Sequence, residues 1–168
     1  ACAIAALRAS NLTLADTAWA TGVAATTVTG RLQRWRTDPE VILDVAHNPQ
    51  SVAQLAAWLK TDPKPTVAVF SALKDKDIAG MLAQLAPLIG FWHVGVIAEP
   101  AERALSAEVW QEQLSAALTP ADYRIHHDVA TAYAAALADS RGRRILVFGS
   151  FHTLEAVMRL PQPEAVGV

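Results

Sequence analysis

From residue 30 onward, short apolar runs alternate along the chain with helical repeats of apolar and polar residues. Six segments have the composition of strands, and several are apolar almost throughout, as expected of strands that are buried on both faces of a sheet. The predicted strands are RLQRWR (31–36), EVILDVA (40–46), TVAVFSAL (66–73), FWHVGVIA (91–98), DYRIHH (122–127) and RRILVFG (143–149).

Amphipathic repeats between these runs predict helices. Residues 49–60 place Val52, Leu55 and Leu59 on one face, directly after a proline suited to a first helical turn. Similar patterns predict helices over 77–88, 106–118, 129–139 and 153–160. Strands that alternate with helices indicate an α/β fold, here a Rossmann-like three-layer domain with a mostly parallel, mixed sheet of about six strands and helices on both faces.

The first 28 residues have a different character from the rest. Residues 1–9 are rich in alanine, which has a high helix propensity, and the stretch up to residue 28 is rich in Thr, Ala and Gly with weak periodicity. We therefore expect residues 1–28 to be the end of a preceding domain with its linker, and residues 29–168 to form the α/β domain. Residues 161–168 are expected to lie loosely on the surface.

Composition narrows the class of protein. The chain has 168 residues, of which 52% are apolar and 18% charged, and this excludes a disordered chain. A net charge of −2 gives no general argument for binding nucleic acid, and no apolar run approaches the roughly 20 residues that span a bilayer. The single cysteine, Cys2, excludes an internal disulfide framework and fits a reducing, cytoplasmic environment.

Ligands of open α/β sheets bind at the carboxyl ends of the strands, so the loops there are the candidates for a site. Asp44 ends an apolar run, and a buried carboxylate is costly unless it is hydrogen-bonded or paired. Asp44 therefore either binds the neighbouring turn or an arginine, or faces a ligand. His47 follows in the same loop, before Asn48 and Pro49, which suit a helix start.

Two other loops carry groups capable of chemistry. Lys74 lies among acids and bases, of which Asp75 or Asp77 could cap the next helix. At Gly149–Ser150, free backbone N–H groups near a helix start would suit an anion, and a plain turn with Thr153 as the N-cap is equally compatible. His126, His127 and Asp128 could suggest a metal, but adjacent strand residues face opposite ways, which favours a surface position.

Four ordered motifs carry a resemblance that covers roughly residues 29 to 160. TGRLQ (29–33), VILDVAHNPQ (41–50), LKDKDI (73–78) and VFGSFHT (147–153) together resemble the C-terminal domain of the bacterial bifunctional dihydrofolate synthase/folylpolyglutamate synthases, within the Mur ligase superfamily. Thr29 stands where that family usually has a proline. The ATPase domain of the family, with its P-loop and magnesium ligands, is not in this sequence.

The resemblance implies an ATP-dependent ligase that adds L-glutamate to dihydropteroate and to folates through an acyl phosphate. By analogy, Arg31 lies near phosphate and Asp44 near the ribose, with Asp44 and His47 catalytic. His47 is also expected beside the nucleotide. Ser150, with Lys74, is expected to bind glutamate.

The resemblance also implies cofactors and a partner domain. ATP and Mg²⁺ are the expected cofactors, with the metal ligands in an N-terminal ATPase domain of the same full-length protein, so the fragment alone is expected to be inactive. The alternatives are another Mur-type amino-acid ligase domain, a stand-alone nucleotide- or amino-acid-binding module, and a plain interaction domain.

Overall fold

The computed structural model describes residues 2–10, 15–26 and 28–161. None of the helices within these ranges has the length and apolar character needed to cross a membrane. The elements are α1 (Cys2–Arg8), α2 (Asp16–Ala25), β1 (Gln33–Thr37), β2 (Glu40–Asp44), α3 (Pro49–Thr61), β3 (Thr66–Phe70), α4 (Ile78–Leu85), β4 (Phe91–Gly95), α5 (Ala107–Ser115), β5 (Tyr123–His126), α6 (Val129–Asp139), β6 (Arg144–Phe148) and α7 (Phe151–Met158).

All six predicted strands are present, and the sheet confirms the predicted mixed α/β architecture. Its strand order is β1-β2-β6-β3-β4-β5, with β1 antiparallel to β2 and every other neighbouring pair parallel. This order differs from the order along the chain, because β6 returns to lie between β2 and β3. The carboxyl ends of β2, β6 and β3 therefore lie side by side.

The ends of two predicted elements shift for local reasons. The first strand begins at Gln33 rather than at residue 31, since Gly30 and Leu32 have positive φ angles that an extended strand does not contain. The helix predicted over 77–88 stops at Leu85 and continues as a 3₁₀ turn over Ala86–Leu88. Of the tail predicted over residues 161–168, residues 162–168 lie outside the described ranges.

The start of the last helix corrects a predicted cap. α7 begins at Phe151, with Ser150 as the N-cap, so the assignment of Thr153 as the cap is wrong. Asn48 caps α3 as its sequence position indicated, and Ser106 caps α5. α1 and α2 lie in the segment expected to belong to a preceding domain, and that domain boundary stays a prediction.

Helices cover both faces of the sheet. Alternate residues of each central strand point to opposite faces, so one set meets α3, α4 and α5 and the other meets α6 and α7. The first face contains an aromatic cluster in which the Phe70 ring stacks on Phe148 and meets Trp92 and Trp110 edge-on. Both faces are closed by apolar packing, which leaves the strand ends for chemistry.

The amino end of the sheet is closed by a buried arginine. Arg144, which is 1% exposed, donates from Nε to Glu40 Oε2 at 3.0 Å and from Nη1 to the Asp62 carbonyl at 3.1 Å. Its guanidinium carbon lies 4.6 Å from the centre of the Trp58 ring. The Glu40 and Asp62 carboxylates compensate the charge of the buried guanidinium. The same contacts join β6 to β2 and to the end of α3.

A histidine pair lies inside the other half of the sheet. His93 in β4 is fully buried, and its Nδ1 is 3.2 Å from Nε2 of His126 in β5. Its own Nε2 has no hydrogen-bond partner among the described residues, and the Asp139 carboxylate is 3.7 Å away. Burial, together with the charge of His126, lowers the pKa of His93 to about 4. The neighbouring His127 is exposed, in agreement with its predicted surface position.

The lowered pKa of His93 predicts how the free energy of unfolding depends on pH. The pKa of His93 is about 4 when folded and 6.5 as the ordinary value, so only the unfolded chain takes up the proton between these pH values. The free energy of unfolding should therefore fall as the pH drops from about 6.5 to about 4, by on the order of 3 kcal/mol, and this group should add nothing further below that range.

Urea unfolding across that pH range measures the effect. His93→Gln should flatten the slope, because a glutamine binds no proton in either state. His127→Gln is the matched control and should keep the wild-type slope, since that ring lies in solvent. Equal slopes in the wild type and His93→Gln would show that burial of His93 does not disfavour its charged form.

Candidate active site

The residues singled out from the sequence gather at the carboxyl edge of the sheet. Asp44 and His47 lie at the end of β2, Ser150 follows β6, and Lys74 lies in the loop after β3. Arg31 joins them because β1 runs antiparallel to β2 and pairs Gln33 with Leu43. Neighbouring strands are about 4.8 Å apart, so the ends of β2 and β3 are separated by about 10 Å.

A tight turn presents Arg31. Gly30 has a φ of +69°, and a Cβ on it would lie 2.7 Å from Leu154 Cδ2 and 2.8 Å from Val45 Cγ1. Only glycine fits this position, for reasons of both backbone angle and space. The Val45 N–H donates to the Gly30 carbonyl at 2.8 Å and fixes the turn to the end of β2. Arg31 is left exposed at the rim.

Asp44 holds the same turn from the other side. The Leu32 N–H donates to Oδ2 and the Ala46 N–H to Oδ1, both at 2.8 Å, and the residue is only 7% exposed. The first of the two expectations for this acid, that it binds the neighbouring turn, is therefore confirmed. A carboxylate accepts more than one hydrogen bond per oxygen, so these two contacts do not exhaust its capacity for a ligand.

His47 has one ring nitrogen committed to the backbone. Its Nδ1 lies 2.8 Å from the Val45 carbonyl. A carbonyl only accepts, so Nδ1 carries the hydrogen, and Nε2 of the neutral ring remains an acceptor. The ring is half-buried, and its centre lies 6.4 Å from that of Phe151. Asn48 Oδ1 accepts the Ser51 N–H at 2.9 Å, so the helix start is structural, as predicted.

Of the concavities that border the Gly30–Leu32 turn, two also reach the end of β2. The smaller, of about 270 Å³, contains the Asp44 carboxylate and the Arg31 side chain; its lining is Arg31, Leu32, Asp44, Ser51, Gln54 and Leu55. The second, of about 430 Å³, lies against α7; its lining is Thr29, Gly30, Val45, Phe151, Leu154, Glu155, Met158 and Arg159. Both are open, and at the rim Phe151 is 64% exposed and Leu32 40% exposed. Ligand sites usually measure 300–1,000 Å³ and enclose most of the ligand, so the smaller concavity has the size of a partial site.

Ser150 is occupied by its capping role. Its Oγ accepts the Thr153 N–H at 3.0 Å and lies 2.7 Å from Thr153 Oγ1, which in turn donates to the Ser71 carbonyl at 3.1 Å. The residue is 5% exposed. Gly149, with a φ of +114°, brings the backbone so close that a Cβ would lie 2.2 Å from the Ser71 oxygen. What this turn presents outward is therefore backbone N–H rather than hydroxyl.

The loop after β3 separates its charges. Asp77 caps α4 by accepting the Gly80 N–H at 2.8 Å, and this decides between the two predicted caps. Asp75 binds both Lys76 and Arg103. Lys74 is exposed, and no side-chain partner for its ammonium is found within the described parts of the chain. Arg103 was not singled out from the sequence, although it is the only basic residue in the loop 98–103 after β4.

The site brings no metal-binding cluster with it. Across residues 2–10, 15–26 and 28–161, no group of three or more His, Cys, Asp or Glu side chains could hold a metal ion. The carboxyl edge thus combines an exposed arginine, a hydrogen-bonded carboxylate, a histidine acceptor, helix N–H groups and an unpaired lysine. This is a set suited to binding phosphates and carboxylates.

Comparison with known proteins gives the chain its relatives. A family described as Mur ligase, glutamate ligase domain, matches residues 30–151. The chain is 39% identical to the dihydrofolate synthase/folylpolyglutamate synthase of Escherichia coli over 163 residues, which cover 95% of this chain and 37% of that protein. It is 44% identical to the Mycobacterium tuberculosis protein of the same name over 89 residues, covering 52% of this chain and 18% of that one. The match thus covers little more than a third of the Escherichia coli protein and less than a fifth of the Mycobacterium tuberculosis one.

Solved structures agree with the sequence matches. Escherichia coli FolC in complex with DHPP and ADP superposes with a TM-score of 0.81 at 39% identity, over 93% of this chain and 36% of that one. A bifunctional folylpolyglutamate synthase/dihydrofolate synthase with Mn, AMPPNP and L-glutamate bound gives a TM-score of 0.80 at 36% identity, over 93% and 37%. These similarities confirm the resemblance that the four sequence motifs carried.

The contacts of Asp44 predict the effect of an isosteric change. Asp44→Asn replaces one accepting oxygen with a donor that faces a backbone N–H, so it should lower the free energy of unfolding by about 1–3 kcal/mol. Denaturant unfolding measures this as a lower midpoint at an unchanged slope. Asp38→Asn, in an exposed turn, is the control and should have little effect. Equal stability of Asp44→Asn and the wild type would contradict the holding role.

Proposed function

Because this chain belongs to the Mur ligase family of glutamate ligase domains, we propose that it supplies the carboxyl-terminal half of an active site that adds L-glutamate to dihydropteroate and to folates with the hydrolysis of ATP. The observation that carries the proposal is the open row of ligand-binding groups at the carboxyl edge, on a chain that matches little more than a third of its relatives. An amino-terminal ATPase domain of the same protein would cover the exposed rim.

The reaction has two balanced steps. A carboxylate oxygen of the folate substrate attacks the γ-phosphorus of ATP, the bond to the β-phosphate oxygen breaks, and ADP leaves with the formation of an acyl phosphate. The amine of glutamate then attacks the acyl carbon, phosphate leaves, and the amine loses a proton to give the amide. Both steps depend on positioning and charge stabilisation, and water must be excluded because it would hydrolyse the acyl phosphate.

The nucleotide side of the site follows from the turn at Gly30–Leu32. Arg31 is an exposed guanidinium with no ion-pair partner among residues 2–10, 15–26 and 28–161, so it can form two parallel hydrogen bonds with phosphate oxygens. Asp44 keeps that turn in place and has remaining acceptor capacity toward ribose hydroxyls. His47 offers Nε2 as an acceptor beside them. In this proposal Arg31 contacts the nucleotide directly, and Asp44 both contacts it and positions Arg31.

The amino-acid side lies one and two strands further along the edge. Glutamate carries two carboxylates, which the first N–H groups of α7 and the ammonium of Lys74 can bind. Ser150 contributes to this side by capping α7, since its hydroxyl is already bonded to Thr153. We therefore retain Ser150 in the glutamate site as the residue that shapes it.

ATP is accompanied by a divalent cation in the proposal, and we expect this to be Mg²⁺. The described residues contain no cluster able to hold it, so its protein ligands are assigned to the amino-terminal domain. The ion would screen the phosphate charges of ATP. The residues of this chain act around it by binding, orienting and excluding water.

The division of the site predicts that the 168-residue chain alone has no ligase turnover. The complete enzyme should produce ADP continuously only when both dihydropteroate and L-glutamate are present, and should form the glutamylated product. Coupled ADP assays and mass spectrometry of the product measure both proteins. Turnover by the chain alone would contradict the shared site. Tight binding of ATP or glutamate to it in calorimetry would instead support a self-sufficient binding module.

Arg31 is the sharpest test of the nucleotide side. In the complete enzyme, Arg31→Ala should lower kcat/KM by about 100-fold or more, because it removes a charge that stabilises the transferred phosphate. Arg31→Lys should recover only part of the loss, since lysine lacks the two-pronged geometry. Arg36→Ala, which replaces the second arginine of β1, is the matched control and should keep activity within a few-fold. Equal effects at both positions would count against a specific role.

A further inference from the structure

An ion pair joins the loops that follow β3 and β4. Arg103 Nε and Nη2 both donate to Asp75 Oδ1, at 3.1 and 2.7 Å. The backbone adds a second connection, because the Lys74 N–H donates to the Arg103 carbonyl at 3.0 Å. We call this arrangement, formed by Asp75, Arg103 and the Lys74 N–H, the loop latch. It ties two loops that are far apart in sequence at the edge where the site lies.

The charges of Asp75, Lys76 and Arg103 are paired with one another, whereas that of Lys74 takes no part in this pairing. Lys76 Nζ lies 2.8 Å from Asp75 Oδ2, so both oxygens of this carboxylate face cations. Hydrogen bonds from Lys76, which contributes most, and from Arg103 hold the pKa of Asp75 well below its usual range. Lys74 is exposed and has no side-chain partner in the part of the chain that the structure describes. Its ammonium is therefore left available at a fixed point of the edge.

The latch is poorly suited to a role in global stability. The Arg103 side chain is 41% exposed and that of Asp75 is 44% exposed, and solvent screens such pairs strongly. Both ends of the loop are anchored without it, since Leu73 and Ile78 are buried in the core. What the ion pair adds is orientation, because two guanidinium nitrogens converge on one carboxylate oxygen. The apex of the loop, at Lys74, is the segment that this orientation controls.

We propose that Asp75 and Arg103 are positioning residues that hold Lys74 in place for the carboxylate of the amino-acid substrate. This inference rests on the proposed function and deepens it by adding two residues that act through the lysine. Without the latch, the Lys74 loop would sample several positions, and the bound amino acid would lose a fixed cation. The expected consequence is weaker binding of glutamate with little change in the use of ATP.

A double-mutant cycle in the complete enzyme tests the latch. Asp75→Ala and Arg103→Ala should each raise the KM for glutamate about tenfold, and the double variant should be no worse than either one, because both remove the same connection. The KM for ATP should change less than about twofold. Arg103→Lys should rescue partly. Glu112→Ala, which replaces an exposed acid on α5 that takes no part in the proposed site, is the matched control and should behave as wild type.

Hydrogen exchange measures the order of the Lys74 loop separately from global stability. Exchange at the Lys74 amide should quicken in Asp75→Ala and in the double variant, while the melting temperature stays within about 2 °C of the wild type. Lys74→Ala should raise the KM for glutamate as the latch variants do, but should leave the Asp75–Arg103 pair intact.

Several results would overturn the inference. Additive losses, or a loss in Arg103→Ala with none in Asp75→Ala, would show that the arginine acts by itself. An unchanged KM for glutamate in an active enzyme would separate the latch from substrate binding and leave the ligase assignment standing. A wild-type complete enzyme that ligates no glutamate would overturn the proposed function itself, and with it the role given to the latch.

Discussion

The carboxylate of Asp44 connects the end of β2 to the turn at Gly30–Leu32, and the candidate site is built around that connection. A buried carboxylate loses its hydration, and backbone N–H groups at a strand end lose their ladder partners. Here the Leu32 and Ala46 N–H groups donate to the two oxygens of Asp44, so both the carboxylate and the N–H groups are hydrogen-bonded. Arg31 lies between Gly30, whose carbonyl accepts the Val45 N–H, and Leu32, whose N–H donates to Asp44. Its place at the rim follows from these two hydrogen bonds.

The two ends of the sheet show how differently charge can be handled in one domain. At the amino end, Arg144 is buried and its guanidinium is bonded to Glu40 and to Asp62. At the carboxyl end, Arg31 and Lys74 are exposed, and Phe151 projects without cover. The first arrangement is complete within the domain. The second has unfilled binding capacity, which is the physical basis for treating it as half of a shared site.

The remaining contacts at the carboxyl edge pass the geometry from strand to strand. Thr153 links the first turn of α7 to the end of β3 through the Ser71 carbonyl. Gly149 permits the close approach of the backbone after β6 to the backbone after β3. The Asp75–Arg103 pair continues the connection to the loop after β4. Groups that would bind a nucleotide and an amino acid are thereby held on neighbouring strands, although they are far apart along the chain.

The sequence by itself determined the alternation of strands and helices, because apolar periodicity and caps such as Asn48 and Ser106 are local properties. It also located Asp44, His47, Lys74 and Ser150 at strand ends or in the loops after them, and Arg31 at the start of a predicted strand. Tertiary structure alone decided which contacts each one makes there. Whether the Asp44 carboxylate met a turn, whether Ser150 or Thr153 capped α7, and whether Arg103 reached Asp75 all depended on strand order and on backbone angles at Gly30, Leu32 and Gly149. These are contacts between distant segments, and no local pattern encodes them.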